Sequence, residues 1–279
     1  MKKQFIAILY LLSIPLFSQT QMMIYKTNGT VDSILVSQIS NITFSTASDT
    51  VPNQGLSTYW PLDGNAVDSS GNGYNGIVYG ATPAQNRFGV NNSAYSFNGN
   101  DNAIDFGNIL NQIFCAPVAK FSVSGWALIS SNESNINSTI INKTAGGNGP
   151  YQWSVYYSNG TIRAGVYSDT LARNYIELQS PVSFNQWYHF VLIFDGSQPE
   201  LQRVQLYING STSSTSLYSI TGNLGSTTTA TQQNIAIGAS HAPNSLIWSD
   251  FFNGDVDDIR IYNRALSAAE VTDLYMAPS

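Results

Sequence analysis

Three observations predict an all-β fold: a two-sheet antiparallel jelly-roll sandwich preceded by a short β-rich segment and closed by one short helix. Apolar and polar side chains alternate with period two in several runs bounded by Gly, Asn and Ser, the pattern of half-buried strands. Only 10% of residues are charged, while 12% are aromatic and 22 are glycine, which suits short strands joined by polar turns. Helix-starting chemistry is convincing only near the C-terminus. There Ser267 is placed as an N-cap and Glu270, three residues on, completes a capping box ahead of Val271 and Leu274. A chain of 279 residues is long enough for one large sandwich plus a short appendage.

In chain order, Lys2 and Lys3 precede an apolar run from Phe5 to Phe17, with Ser18 where a signal peptidase could cut, so residues 1–18 are expected to be a signal peptide. The protein is then expected outside the cell or on its surface. No later run is apolar for the roughly 20 residues a membrane helix needs. Residues 19–44 carry Met23, Tyr25, Val31, Ile34, Val36, Ile39, Ile42 and Phe44 around a tight turn at Asn28-Gly29, which predicts a few short strands. Residues 45–55, poor in hydrophobes and containing Pro52, read as a linker to a domain spanning 56–279.

Within that domain Tyr151–Tyr157 and Thr161–Tyr167 flank Ser158-Asn159-Gly160 and form a predicted hairpin. In Trp187–Phe194 both alternating faces are apolar, which predicts a central strand. Strands are further predicted over Arg203–Ile208, Asn234–Ile237 and Gly254–Tyr262. In the last, Val256, Asp258, Arg260 and Tyr262 are expected on one face and Asp257, Ile259 and Ile261 on the other. Trp60, Trp126 and Trp187 are expected in the core, and His189 is expected to be a structural imidazole. Cys115, the only cysteine, cannot form an internal disulfide.

The run FNGDVDDIRIYNRALSAAEV (Phe252–Val271) resembles the closing segment of laminin-G-like, concanavalin A-like domains of bacterial extracellular proteins. GLSTYWPLDGNAVDSSGNGYNG (from Gly55) is similar to the family's opening segment. AYSFNGNDNAIDFG (from Ala94), FSVSGWALIS (from Phe121), QWYHFVLIFDG (from Gln186) and VQLYINGS (from Val204) follow in the family's order. The segment after the leader resembles those of secreted Bacteroidetes proteins, which points to that lineage as the source. This fold carries lectins, adhesion modules, enzyme appendages and some glycosidases, so the resemblance speaks to fold more than to function.

The net charge is −6 and no Lys/Arg cluster offers a track for phosphates, so no nucleic-acid partner is expected. Hydrolases of the resembled fold carry E-x-D-x-E on one strand; this chain has none, and its four glutamates are scattered. An unrecognised acid pair such as Asp169 and Glu177 is the alternative, catalytic reading. The resemblance implies a structural Ca²⁺ where the opening and closing segments meet, with Asp63, Gly64 and Asp257 as its ligands and Asp68 as an additional candidate. The competing reading is that these acids cap turns.

For sugar binding, aromatic faces must lie beside fixed polar groups. Tyr151, Trp153, Tyr157, Arg163, Tyr167, Arg173 and Tyr175 supply these in one stretch, and His241, Trp248 and Asp250 supply them in a polar loop. The predicted function is a secreted, non-catalytic carbohydrate-binding or adhesion module. Its expected partner is a glycan or extracellular polysaccharide, with surface proteins as the other class of partner.

Overall fold

The computed structural model describes residues 21–25, 31–35, 51–131, 133, 137–144, 151–168, 174–241 and 248–278. The expected leader, the Asn28-Gly29 turn, Asp169 and Arg173 lie outside the described residues. The chain divides into two compact units, Met1–Ala47 and Ser48–Ser279. In the first, β1 (Gln21–Tyr25) and β2 (Val31–Leu35) pair antiparallel from Gln21↔Leu35 to Tyr25↔Val31.

The second unit runs through β3 (Leu56–Trp60), β4 (Ile77–Tyr79), β5 (Thr82–Ala84), β6 (Ala94–Asn98), β7 (Ala103–Asp105) and a one-turn helix, α1 (Asn111–Phe114). It continues through β8 (Lys120–Ile129), β9 (Ser138–Lys143), β10 (Trp153–Ser158), β11 (Thr161–Tyr167), β12 (Tyr175–Pro181), β13 (Trp187–Asp195), β14 (Val204–Ile208) and β15 (Ser216–Thr221). The short β16 (Ala236–Ile237), β17 (Ser240–His241) and β18 (Trp248–Ser249) precede the long β19 (Asn253–Tyr262) and the helix α2 (Ala268–Met276).

Two large antiparallel sheets result, with β17 and β18 paired as a small third. One has eight strands in the order β15-β12-β11-β10-β9-β16-β7-β4, the other seven in the order β14-β13-β8-β19-β6-β5 with β3 paired to β19. The opening and closing strands are therefore neighbours, as expected. The core lies between the sheets. Val155, Ile162, Val166 and Ile176 meet Phe121, Val123, Phe190, Leu192 and Phe194 there, and Phe114 packs edge-on to Phe121. Burial of these apolar faces is the main stabilising term, as area removed from water.

Two local expectations are corrected. Strand β19 does not alternate strictly: its partners on β8 jump between Asp257↔Trp126 and Arg260↔Ser124, and Asp258 sits at φ 55°, the extra residue of a β-bulge. The bulge puts Val256, Ile259 and Ile261 together in the core, while Tyr262 faces outward. Strand β13 is apolar on both faces although only the edge strand β14 lies beyond it. Its second face, Val191 and Ile193, is sealed with Tyr262 by Leu266, Val271 and Leu274 of the C-terminal segment.

Helix α2 starts as predicted. Glu270 N–H donates to Ser267 Oγ at 3.3 Å, and Ser267 N–H donates to Glu270 Oε2 at 2.9 Å. Trp60 is wholly buried. Trp126 is buried on the outward face instead, stacked on Tyr275 at 5.7 Å, and Trp187 is only half-buried.

Candidate functional site

The outward face of the seven-stranded sheet is filled. Arg87 Nη1 donates to Asp257 Oδ2 at 3.1 Å and to Asp258 Oδ2 at 2.9 Å, and Arg260 Nη2 reaches Asp258 Oδ1 at 3.2 Å. Tyr59 donates its phenol to Asp258 Oδ1 at 2.8 Å, and Arg87 also lies 4.4 Å from the Trp126 ring. Two buried acids thus meet two buried guanidinium groups. Burial, and then the neighbouring Asp258 charge, push Asp257 up to about 8 against the pull of Arg87.

These residues test the implied calcium. The ion takes about six to eight oxygens at about 2.3–2.6 Å. Asp68 Oδ1 instead accepts from the Tyr59 and Ser70 N–H groups at 3.0 and 2.9 Å, and its Oδ2 accepts from Tyr74 N–H at 3.0 Å. Burial would raise the Asp68 pKa, yet these bonds hold it below its ordinary value. Asp63 is exposed, close enough for its charge to raise Asp257, and Gly64 occupies a turn at φ 68°. Asp257 is taken by Arg87. Among the described residues no three His, Cys, Asp or Glu side chains are placed to share an ion. The implied ligands do not fit a calcium cage, because amide protons already engage Asp68 and the Arg87 guanidinium engages Asp257.

The outward face of the eight-stranded sheet has a different character. Residues directly opposite each other across strands share a face, so the register can be read as rows. Asn142, Ser154, Gly165, Glu177 and Ser219 form one row across β9, β10, β11, β12 and β15. Thr139, Tyr156, Arg163 and Gln179 form the row on one side, and Tyr167 with Tyr175 lies on the other. Glu177 is only 7% exposed, and its Oε1 accepts from Tyr156 Oη at 3.2 Å and from Tyr167 Oη. Gly165 is required here: a Cβ would lie 2.7 Å from Glu177 Cγ and 3.1 Å from Tyr167 Oη.

Burial first, and then the Glu177 charge, raise the Tyr156 and Tyr167 pKa values, and burial with the Asp250 and Glu177 charges raises Tyr151. All three phenols therefore stay protonated donors at neutral pH. Tyr151, Tyr167 and Tyr175 form a series of rings with centroids 5.0 and 5.4 Å apart. The Arg163 guanidinium lies 3.6 Å from the Tyr218 ring centroid and donates from Nε to Thr161 Oγ1 at 3.1 Å.

The polar loop joins this face through β9. Thr139 N–H donates to Asp250 O at 2.8 Å, and Ser240 Oγ meets Thr139 Oγ1 at 2.8 Å and accepts from Asn142 Nδ2 at 2.6 Å. Next to Ser240, His241 stands edge-on to Trp248 with ring centroids 4.8 Å apart, and Trp248 is 5.9 Å from Tyr79.

Arg163 and Tyr175 lie on the rows of this face, Tyr151 adjoins them through the Tyr167 ring, and His241 and Trp248 pair in a small sheet of their own beside Asp250. Trp153 does not lie on this face: it is wholly buried against Phe114, because in β10 Trp153, Val155 and Tyr157 point inward. Tyr157 is misplaced for the same reason. The residues missed as binding candidates were Tyr156, Tyr218 and the central Glu177. Period two in Trp153–Ser158 held the signal, since Ser154 marks the polar face and Tyr156 shares it.

His189 is the structural imidazole expected. It is buried, with Nε2 3.0 Å from Ser124 Oγ.

The family model described as concanavalin A-like lectin/glucanases superfamily matches residues 97–272, more than half of the chain. The chain belongs to this superfamily. Among curated proteins, none matches the chain. Solved structures of similar fold include domain 4 of AbnA, an extracellular GH43 arabinanase from Geobacillus stearothermophilus, in complex with arabinotriose. It is 20% identical, with a TM-score of 0.55 over 79% of this chain and 98% of that one. The binding domain of Paraclostridial Mosquitocidal Protein 1 is 17% identical, with a TM-score of 0.59 over 80% and 52%. The receptor binding domain of botulinum neurotoxin C/D mosaic serotype is 20% identical, with a TM-score of 0.56 over 80% and 51%. The concanavalin A-like chain thus spans about half the length of the two toxin domains. At these identities the likeness is one of fold.

Proposed function

We propose that this concanavalin A-like protein is an exported, non-catalytic carbohydrate-binding module whose binding surface is the outward face of the eight-stranded sheet. One observation carries the reading: the ring series Tyr151, Tyr167 and Tyr175 stands beside a buried carboxylate, Glu177, fixed by two phenols. Aromatic rings present flat apolar faces with a polar edge, which suits the C–H faces of a sugar, and fixed polar groups give orientation. The arabinanase domain solved with arabinotriose and the two toxin binding domains support a binding role for this fold. An extracellular polysaccharide is the partner class, and the apolar run behind Lys2 and Lys3 is the export signal.

The test is retention of the chain on a broad polysaccharide array, repeated with Tyr175→Ala and Trp248→Ala. Retention on one glycan class, weakened at least tenfold in both variants at an unchanged melting temperature, is expected. Silence across the array would move the role to protein adhesion. Release of reducing ends from a bound polysaccharide would establish the hydrolase reading instead.

A further inference from the structure

The geometry points to a neutral glycan, rather than a sialylated, uronate or sulfated one, as the ligand class of this face. The inference rests on the carbohydrate-binding reading and adds the charge of the sugar to it.

Acids outnumber cations along the described rows and the loop beside them. Among the described residues the cation of this face is Arg163. It is 9% exposed, covered on one side by the Tyr218 ring at 3.6 Å, and committed through Nε to Thr161. Lys143, at the end of β9, lies on the same face as the inward-pointing Trp153. Its Nζ donates to Asn108 Oδ1 at 2.7 Å and to Gln233 O at 2.6 Å, so it is used within the fold.

Two acids stand against this one cation, Arg163. Glu177 sits mid-row with Oε1 taken by Tyr156 and Tyr167, while no described residue donates to its Oε2. Asp250 adds a second carboxylate beside this face: its backbone O accepts from Thr139 N–H at 2.8 Å, and its Oδ2 accepts from Ser249 Oγ at 3.2 Å. A sugar hydroxyl can donate to a carboxylate oxygen. A sugar carboxylate or sulfate cannot donate, and it would face like charge in a partly water-excluded place, where repulsion is screened weakly. The net charge of −6 works in the same direction at longer range.

The experiment compares the full chain on neutral probes (linear arabinan, xylan, mixed-linkage β-glucan) with anionic ones (polygalacturonate, alginate, a sialylated oligosaccharide, heparin), at low and at high NaCl. At least one neutral probe is expected to bind, with every anionic probe at least tenfold weaker. Salt should leave the neutral affinity unchanged. Glu177→Gln keeps an acceptor for both phenols while removing the charge, so it should narrow the gap between the two classes. The salt comparison reads the same repulsion without any variant. Anionic binding equal to or tighter than neutral binding would overturn the charge-class inference and leave the binding reading standing. Because Arg173 follows β11, anionic binding that Arg173→Ala abolishes would overturn it by naming the cation responsible. No retention on any probe would overturn the binding reading itself.

Discussion

At the scale of single residues, Tyr167 and His189 show how burial sets what a polar group can do. Tyr167 is 5% exposed and donates to a carboxylate that is itself buried. Tyr167→Phe removes one of the two donors that orient Glu177, at a cost of about 1.5–3 kcal/mol for a hydrogen bond to a charged group. Glycan affinity should fall along with the urea midpoint, whereas Tyr175→Ala should lower affinity alone. Equal retention by wild type and Tyr167→Phe would mean that Glu177 needs no orienting.

His189 is pushed down to about 3, first by burial and then by the charges of Arg260 and Arg87. Ser124, Trp126 and Tyr275 also surround it. The unfolded imidazole takes its proton near about 6.5. The folded value is depressed, so the neutral imidazole's contribution is intact above that pH and is lost as pH falls from 6.5 toward 3. His189→Gln should flatten the stability–pH slope between about pH 6 and 4 by up to one proton, about 1.4 kcal/mol per pH unit. Urea titrations across that range would show it. An unchanged slope would mean that the imidazole is protonated in the fold.

At the scale of elements, legibility followed local chemistry and failed where the partner strand decided. The capping box of α2 needs only Ser267 and Glu270 three residues apart, and it was read from sequence as it stands. The β10–β11 hairpin was legible from Asn159-Gly160, both at positive φ. The phase of β19 was not. Asp258 shifts the register by one residue, and nothing in a run of alternating residues announces an unpaired position. Asp258 holds φ 55° without being glycine, a conformation that costs most other L-residues about 1 kcal/mol or more. Asp258→Gly and Asp258→Ala both leave Arg87 and Arg260 short of a carboxylate, but only alanine keeps the backbone strain. Alanine should therefore be less stable than glycine by about 1 kcal/mol in urea. Equal stabilities would place the whole effect in the lost ion pairs. Trp153 was misassigned for a related reason: a large aromatic in an alternating strand belongs to whichever face its neighbours choose, and Val155 and Tyr157 choose the core.

At the scale of the molecule, the two outward faces differ in what covers them. One is closed by α2 and by the Arg87–Asp257–Asp258–Arg260 cluster, and the other carries tyrosines and a carboxylate across five strands. The closing strand needed a cation beside its two adjacent acids, Asp257 and Asp258, and the loop before β6 supplies it as Arg87, 170 residues from Asp257 in sequence. That separation hid it, since motif reading saw the Asp-Asp run but not the guanidinium that meets it. Arginine differs from a metal ion in being covalently part of the chain, so it cannot be chelated away. The melting temperature is therefore expected to be the same in EDTA and in calcium. Arg87→Met, which keeps the bulk against Trp126 but leaves two buried acids with one partner, should cost about 3–5 kcal/mol. A melting temperature that drops in EDTA and returns with calcium would show that an ion, not Arg87, neutralises the acids at this seam.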